Sequence, residues 1–184
     1  MVTAKGHLER IAEPAVEDGA SAWRIARDSR VLDANSSYCY VLWFRDLAAT
    51  SAVACGETGT VIGFVTGYIR PEAPGALVIW QIAVEEDWPG RGLAGAMLDH
   101  LTARLGSRGV LQRLETTTSP RSDASLRLFV SYAERHGATV QRELLFPAWL
   151  FPDAHESEFV YRIGPLTQGS VPSLGAHRLD NRSN

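Results

Sequence analysis

Residues 76–84 (ALVIWQIAV) place eight apolar side chains around a single polar one, Gln81. An apolar run this short and without alternation fits a strand buried on both faces. Such a strand needs hydrogen-bonded neighbours on its edges and a covering layer above and below. The next segment narrows the choice further. Gly90-Arg91-Gly92-Leu93-Ala94-Gly95 leads into a stretch with Leu93, Met97, Leu98, Leu101 and Leu105 at helical spacing, ending near Gly106. Buried strand, glycine-rich turn and amphipathic helix together predict a layered α/β domain, with an anion site where the turn enters the helix.

The rest of the chain supplies the other layers. Strands are expected over residues 7–14, 51–55, 60–69, 111–118, 140–145 and 158–163, and helices over 16–29, 38–47 and 122–136. Gly56-Glu57-Thr58-Gly59 reads as a hairpin turn, residues 71–75 as a second turn, and Gly137 as a helix stop. The order is strand, two helices, three strands, helix, strand, helix, two strands. It predicts a mixed sheet with helices on both faces, in one domain over residues 1–163. Residues 164–184 are rich in Gly, Ser, Pro and Asn without periodicity and read as a flexible C-terminal tail.

Composition excludes several classes of function. A net charge of -3, with Lys5 the only lysine, argues against a nucleic-acid binder. No apolar stretch has the length of a membrane span, and the first residues lack a signal-peptide core, so a cytoplasmic protein is expected. Cys39 and Cys55 are too few for a disulfide framework. His155-Glu156-x-Glu158 lacks the second histidine of a zinc motif, so no metal is expected.

The glycine turn has a direct chemical reading. The first N–H groups of a helix have no internal partners, and the helix dipole favours an anion there. Glycines let the backbone approach a phosphate, and Arg91 adds charge. No Gly-Lys-Ser/Thr comes after the turn, so this is not a Walker loop, and Gly90-x-Gly92-x-x-Gly95 sits too late in the chain for a dinucleotide fingerprint.

With these residues in place, the turn resembles the acetyl-CoA pyrophosphate loop of the GNAT acetyltransferase superfamily, Gln/Arg-x-x-Gly-x-Gly/Ala. Gly92 and Ala94 match its last two positions, whereas Pro89 stands at the first. Further segments are similar to the diaminobutyrate acetyltransferases, which acetylate L-2,4-diaminobutyrate in ectoine biosynthesis: Asp28-Ser29-x-x-Leu32-Asp33-x-Asn35-Ser36-Ser37-Tyr38, Gly63-Phe64-Val65-Thr66-Gly67-Tyr68, Val78-Ile79-Trp80-Gln81-Ile82-Ala83-Val84, Glu115-Thr116-Thr117 and Leu150-Phe151-Pro152-x-x-His155-Glu156-x-Glu158.

The resemblance implies a GNAT fold: a mostly antiparallel sheet splayed in the middle, with helices on both faces. It implies direct acetyl transfer from acetyl-CoA to the terminal (gamma) amine of L-2,4-diaminobutyrate, and a homodimer. Cofactor contacts are then expected from the backbone of Ile82, Ala83 and Val84, from Gly90, Arg91, Gly92, Leu93, Ala94 and Gly95, and from Ser122. The resemblance puts Asp33, Tyr38, Trp80, His155 and Glu158 around the acceptor. Asn35, Ser36 and Ser37 add donors for its carboxylate, and Glu156 adds an acidic group. Glu158 is the expected general base, directly or through water, with His155 as its rival. Alternation along the strand puts Gln81 opposite Trp80 and Ile82. The superfamily's tyrosine acid is replaced by Phe129, and Tyr132 one turn on is either a substitute or a core residue. The same residues leave other small amines (a polyamine, an aminoglycoside, another diamino acid) open as acceptors. Pro89 and Phe129 leave open a non-catalytic acyl-CoA sensor.

Overall fold

A computed structural model describes residues 8–29, 32, 35–88, 92–109, 111–118, 123–153 and 155–166. Seven strands form one sheet: β1 (Leu8–Ala12), β2 (Ala52–Gly56), β3 (Val61–Arg70), β4 (Ala73–Val84), β5 (Arg113–Thr118), β6 (Thr139–Phe146) and β7 (Glu158–Gly164). Four helices cover it: α1 (Gly19–Asp28), α2 (Ser37–Asp46), α3 (Leu93–Gly106) and α4 (Asp123–Arg135). The strand order is β1-β2-β3-β4-β5-β7-β6. All pairings are antiparallel except β4 with β5. The expected element order holds throughout.

Two apolar clusters lie on opposite faces. Ile25, Ala26, Tyr40 and Phe44 of α1 and α2 pack on Val53, Cys55, Val61 and Phe64. Met97, Leu98, Leu101, Phe129 and Tyr132 of α3 and α4 pack on Ile62, Leu77, Ile79, Leu114 and Ile163. Residues of β4 feed both clusters, as a strand buried on two faces must. Phe129 is core, and so is Tyr132: its hydroxyl donates to Thr102 Oγ1 at 3.0 Å, and burial pushes its pKa to about 12. Tyr132 therefore belongs to the α3–α4 packing.

Three departures from expectation stand out. β4 begins at Ala73, because the β3–β4 turn occupies only Pro71 and Glu72 and Arg70 pairs with Ala73. The sheet also retains the first residues of the expected tail. Gly164 pairs with Thr139, and the Leu166 N–H donates to the Gln112 carbonyl at 2.8 Å while its side chain joins the core. Residues 167–184 lie outside the described residues.

The third difference is a bulge. Thr66 pairs with Gln81 and Gly67 with Ile79, so β4 carries one extra residue, Trp80, opposite β3. A bulge interrupts alternation. Trp80 stacks on Trp43 of α2, with ring centroids 4.4 Å apart and 19° between planes. The side-chain oxygen of Gln81 accepts from the Tyr40 hydroxyl of the same helix at 2.8 Å. Trp80 and Gln81 thus share the α1–α2 face, which corrects the expectation from simple alternation. Ile82 returns to the α3–α4 face.

Candidate active site

The bulge coincides with the point where β4 leaves β5. The parallel ladder runs from Ala76 with Arg113 to Ile79 with Thr116 and stops there. Beyond it, β4 remains paired with β3 through Gly63–Val84, while β5 continues with β7 through Thr118–Phe159. The sheet opens as a V between β4 and β5, with backbone N–H and C=O groups along the open edge of β4. An extended amide-containing chain can pair with such an edge as an added strand does.

The V leads to the helix entrance. Gly92 is the N-cap residue of α3 with φ 67° and ψ 14°, and among the described residues no side chain caps this end. The left-handed conformation explains a glycine at this position. The end of β4, the start of α3, the start of α4 and the C-terminal half of α1 enclose a cleft of about 790 Å³. Ile82, Ala83, Val84, Ala94, Ala124, Ser125 and Leu128 form its inner wall. Arg24, Asp28, Glu85, Glu86 and Asp87 stand at its polar side, with Arg24 3.8 Å from Glu85. The volume suits a sizeable organic ligand, and the uncapped helix end suits an anionic group on it.

Ile82, Ala83, Val84 and Ala94 therefore lie in the cleft. The Leu93 side chain turns into the core, which leaves its backbone amide for a ligand. Gly95 is buried where a Cβ would stand 3.3 Å from an Arg135 guanidinium nitrogen on α4. Gly90, Arg91, Ser122 and Asp33 fall outside the described residues.

On the α1–α2 face, the strand end of β7 and the loop before it bring His155 and Glu158 together. Their Nε2 and Oε1 atoms are 3.7 Å apart, and the two side chains are 31% and 17% exposed. The His155 ring packs against Phe151 with centroids 4.4 Å apart. Its Nδ1 lies 2.7 Å from the Glu156 carbonyl oxygen. A carbonyl only accepts, so Nδ1 carries the proton. When the ring is neutral, Nε2 then turns a lone pair towards the Glu158 carboxylate. Nε2 and the carboxylate oxygen are 3.7 Å apart, beyond hydrogen-bond distance. They are well placed to share one ammonium. Glu156 contributes to this arrangement through its backbone.

The acceptor-side residues of the first loop divide. Asn35 reaches the Tyr40 hydroxyl through its backbone and side chain. Ser37 opens α2 and is exposed, and Tyr38 is 69% exposed. Tyr38 lies two residues, or about 200° of helical rotation, from the buried Tyr40, which turns it away from the sheet. The resemblance implies that Tyr38 lines the pocket; within this chain its side chain points to the outside.

Sequence reasoning passes over Trp43 and Tyr40. Their spacing from Phe44 marks an aromatic stripe on α2, but not its partners across the sheet. It also passes over Glu115, 3% exposed, which Arg70, Arg113 and Arg162 approach from β3, β5 and β7.

Residues 15–133 match the Acetyltransferase (GNAT) family. The L-2,4-diaminobutyric acid acetyltransferase of Streptomyces avermitilis is 57% identical over 159 residues, which cover 86% of this chain and 89% of the relative. That of Marinococcus halophilus is 38% identical over 91% of this chain and 98% of the relative. This chain belongs to the diaminobutyric acid acetyltransferase family.

Among solved structures, the diaminobutyrate acetyltransferase EctA from Paenibacillus lautus, in complex with its substrate L-2,4-diaminobutyric acid and coenzyme A, superposes with a TM-score of 0.81. It is 35% identical, over 88% of this chain and 97% of that one. Ard1 from Thermoplasma volcanium shares the fold at 19% identity, with a TM-score of 0.68. For a member of a GNAT acetyltransferase family, the open edge of β4 and the uncapped start of α3 acquire a specific reading. Coenzyme A, which the Paenibacillus lautus enzyme binds, has an amide-containing arm and an anionic pyrophosphate that suit such an edge and such a helix start.

Proposed function

We propose that the protein transfers the acetyl group of acetyl-CoA to the terminal (gamma) amine of L-2,4-diaminobutyrate, a step towards the osmolyte ectoine. The observation that carries this reading is the cleft where β4, parted from β5, meets the glycine start of α3; the His155–Glu158 pair supplies the candidate base. The pantetheine arm lies along Ile82–Val84, and its pyrophosphate lies at Gly92–Gly95. The thioester carbonyl then sits beside a β4 backbone N–H, which stabilises the developing oxyanion.

The acceptor arrives as an ammonium and must lose a proton before it attacks. Glu158 attracts the ammonium and takes the proton, with the His155 Nε2 lone pair holding a second N–H. Attack by the amine nitrogen on the thioester carbon forms the C–N bond; collapse of the tetrahedral species breaks the C–S bond and expels the CoA thiolate, which takes up the second proton that the nitrogen sheds. Tyr132 is committed to Thr102 in the core, and a CoA thiolate is stable enough to leave without it. Trp80, backed by Trp43, walls the acceptor, and Asn35 presents a donor to its carboxylate.

The exposed apolar side chains Leu144, Phe146, Trp149 and Leu150 on β6 and the turn after it favour a homodimer of a cytoplasmic protein. Sedimentation at micromolar concentration should give twice the chain mass.

The deciding assay is thiol release from acetyl-CoA with L-2,4-diaminobutyrate, ornithine, lysine and spermidine, with NMR location of the acetyl group. Preference for diaminobutyrate with acetyl on the terminal nitrogen is the expected result. Preference for another amine would retain acetyl transfer and overturn the acceptor. Acetyl-CoA binding without thiol release to any amine would turn the reading to a sensor.

A further inference from the structure

The Tyr40 hydroxyl lies at the centre of a small network that the transfer chemistry does not use. Tyr40 is fully buried on α2, its ring meeting Phe64 edge to face at 5.9 Å. The hydroxyl donates to Gln81 Oε1 at 2.8 Å, across forty-one positions of sequence. Asn35, five residues before it, engages the same hydroxyl through backbone and side chain. Burial raises the phenol above its ordinary pKa, so it stays a neutral donor at physiological pH.

Gln81 can meet Tyr40 only because the bulge at Trp80 turns it to the α2 face. Its backbone N–H adds a further constraint, donating to Thr66 Oγ1 at 3.1 Å, and Thr66 is itself fully buried. The bulge residue Trp80 stacks on Trp43, three residues along α2 from Tyr40. One face of α2 therefore grips two adjacent residues of β4, by a ring stack and by a hydrogen bond. The hydrogen-bonding side chain also holds the entry to the helix at Asn35.

We propose that Tyr40 is a positioning residue for the acceptor: through Gln81 and Asn35 it fixes the donor end of the first loop against the β4 bulge. The inference rests on the proposed acceptor site. An acceptor held between Asn35 and Trp80 requires both to keep a fixed separation, yet they come from segments far apart in sequence. A hydroxyl that bonds to both segments sets that separation without touching substrate. The cofactor groove uses the other part of β4 and the start of α3, so the tie should act on one substrate alone.

The test is Tyr40→Phe, which keeps the ring against Phe64, alongside Gln81→Met, both in the full chain. For each variant the Michaelis constant for L-2,4-diaminobutyrate is expected to rise roughly tenfold, the scale of a modest misplacement of a bound group. That for acetyl-CoA should stay within about twofold, since the groove is built elsewhere. The double variant should resemble either single one, because both cut the same tie. Amide exchange at Asn35, read by NMR without substrate, should speed up in Tyr40→Phe while the α3 amides keep their protection. Unchanged exchange at Asn35 would overturn the proposal, and so would equal shifts in both Michaelis constants. If the wild-type protein turns over no diaminobutyrate, the acceptor assignment fails, and the exchange measurement still decides whether the tie exists.

Discussion

The two halves of β4 are one strand with two different duties. From Ala76 to Ile79 it is hydrogen-bonded on both edges, to β3 and to β5, and Leu77 and Ile79 are buried in the α3–α4 core. From Gln81 onward it pairs with β3 alone, and Ile82, Ala83 and Val84 border the cleft. The first half is stabilised by what surrounds it. The second leaves its edge groups for a ligand, a cost that a closed sheet would not carry. Substitutions in the closed region should therefore change stability with little effect on chemistry, and substitutions around the opening should do the reverse.

Glu158→Gln should show the largest effect. We expect kcat/KM for acetyl transfer to fall by about 10²–10⁴, the usual contribution of a general base, with the melting temperature nearly unchanged. A loss under about tenfold would move the proton to His155 or to water. In the closed half, Leu77→Ala should lower the urea-derived unfolding free energy by about 2–5 kcal/mol, because a fully buried side chain leaves a cavity. The surviving folded fraction should keep its turnover number, and a matching drop in kcat would break the division between halves.

Tyr132 sharpens the comparison through pH. Its phenol titrates at about 12 in the fold against 10.0 as its ordinary value. The unfolded chain therefore loses this proton first as pH rises. The stabilising contribution is complete below pH 10 and disappears as pH climbs from 10 to 12, on the order of 2–3 kcal/mol. Tyr132→Phe should flatten that alkaline decline in a melt series while leaving thiol release at neutral pH intact. A large loss of turnover would restore Tyr132 as a thiolate acid. The smallest effect belongs to Gly92→Ala. A Cβ at φ 67° should cost about 1–2 kcal/mol and raise the Michaelis constant for acetyl-CoA several-fold, leaving that for the amine in place.

Much of this can be read from the residues, for reasons that differ by region. The apolar run around Leu77 and the leucine spacing of α3 mark the centre of the sheet, because burial on two faces leaves an unmistakable pattern. The glycine at 92 announces a turn entering a helix, and its positive φ agrees. The side of the sheet on which Gln81 falls is not readable by alternation. An inserted residue is set by the pairing of β3 with β4, not by the composition of either. The same holds for Tyr40 with Gln81 and for Glu115 with its arginines, which meet only after distant strands align. Tyr38 enters through a segment resemblance, whereas its orientation depends on where α2 begins. The residues mark His155 and Glu158 as two rival bases; the structure sets them 3.7 Å apart, near enough to act on one cation as proposed.

The sheet order has a consequence for synthesis. Among the described residues β7 is the last strand, yet it lies between β5 and β6. β6 reaches the sheet only through β7, so a nascent chain that stops before Glu158 has neither the closing strand nor the carboxylate assigned as base. A ribosome must deliver nearly the whole described chain before the sheet is continuous. The residues that line the cleft between β4, α3 and α4 are thus synthesised before the carboxylate proposed as base, and a product that ends early has the groove residues without that carboxylate.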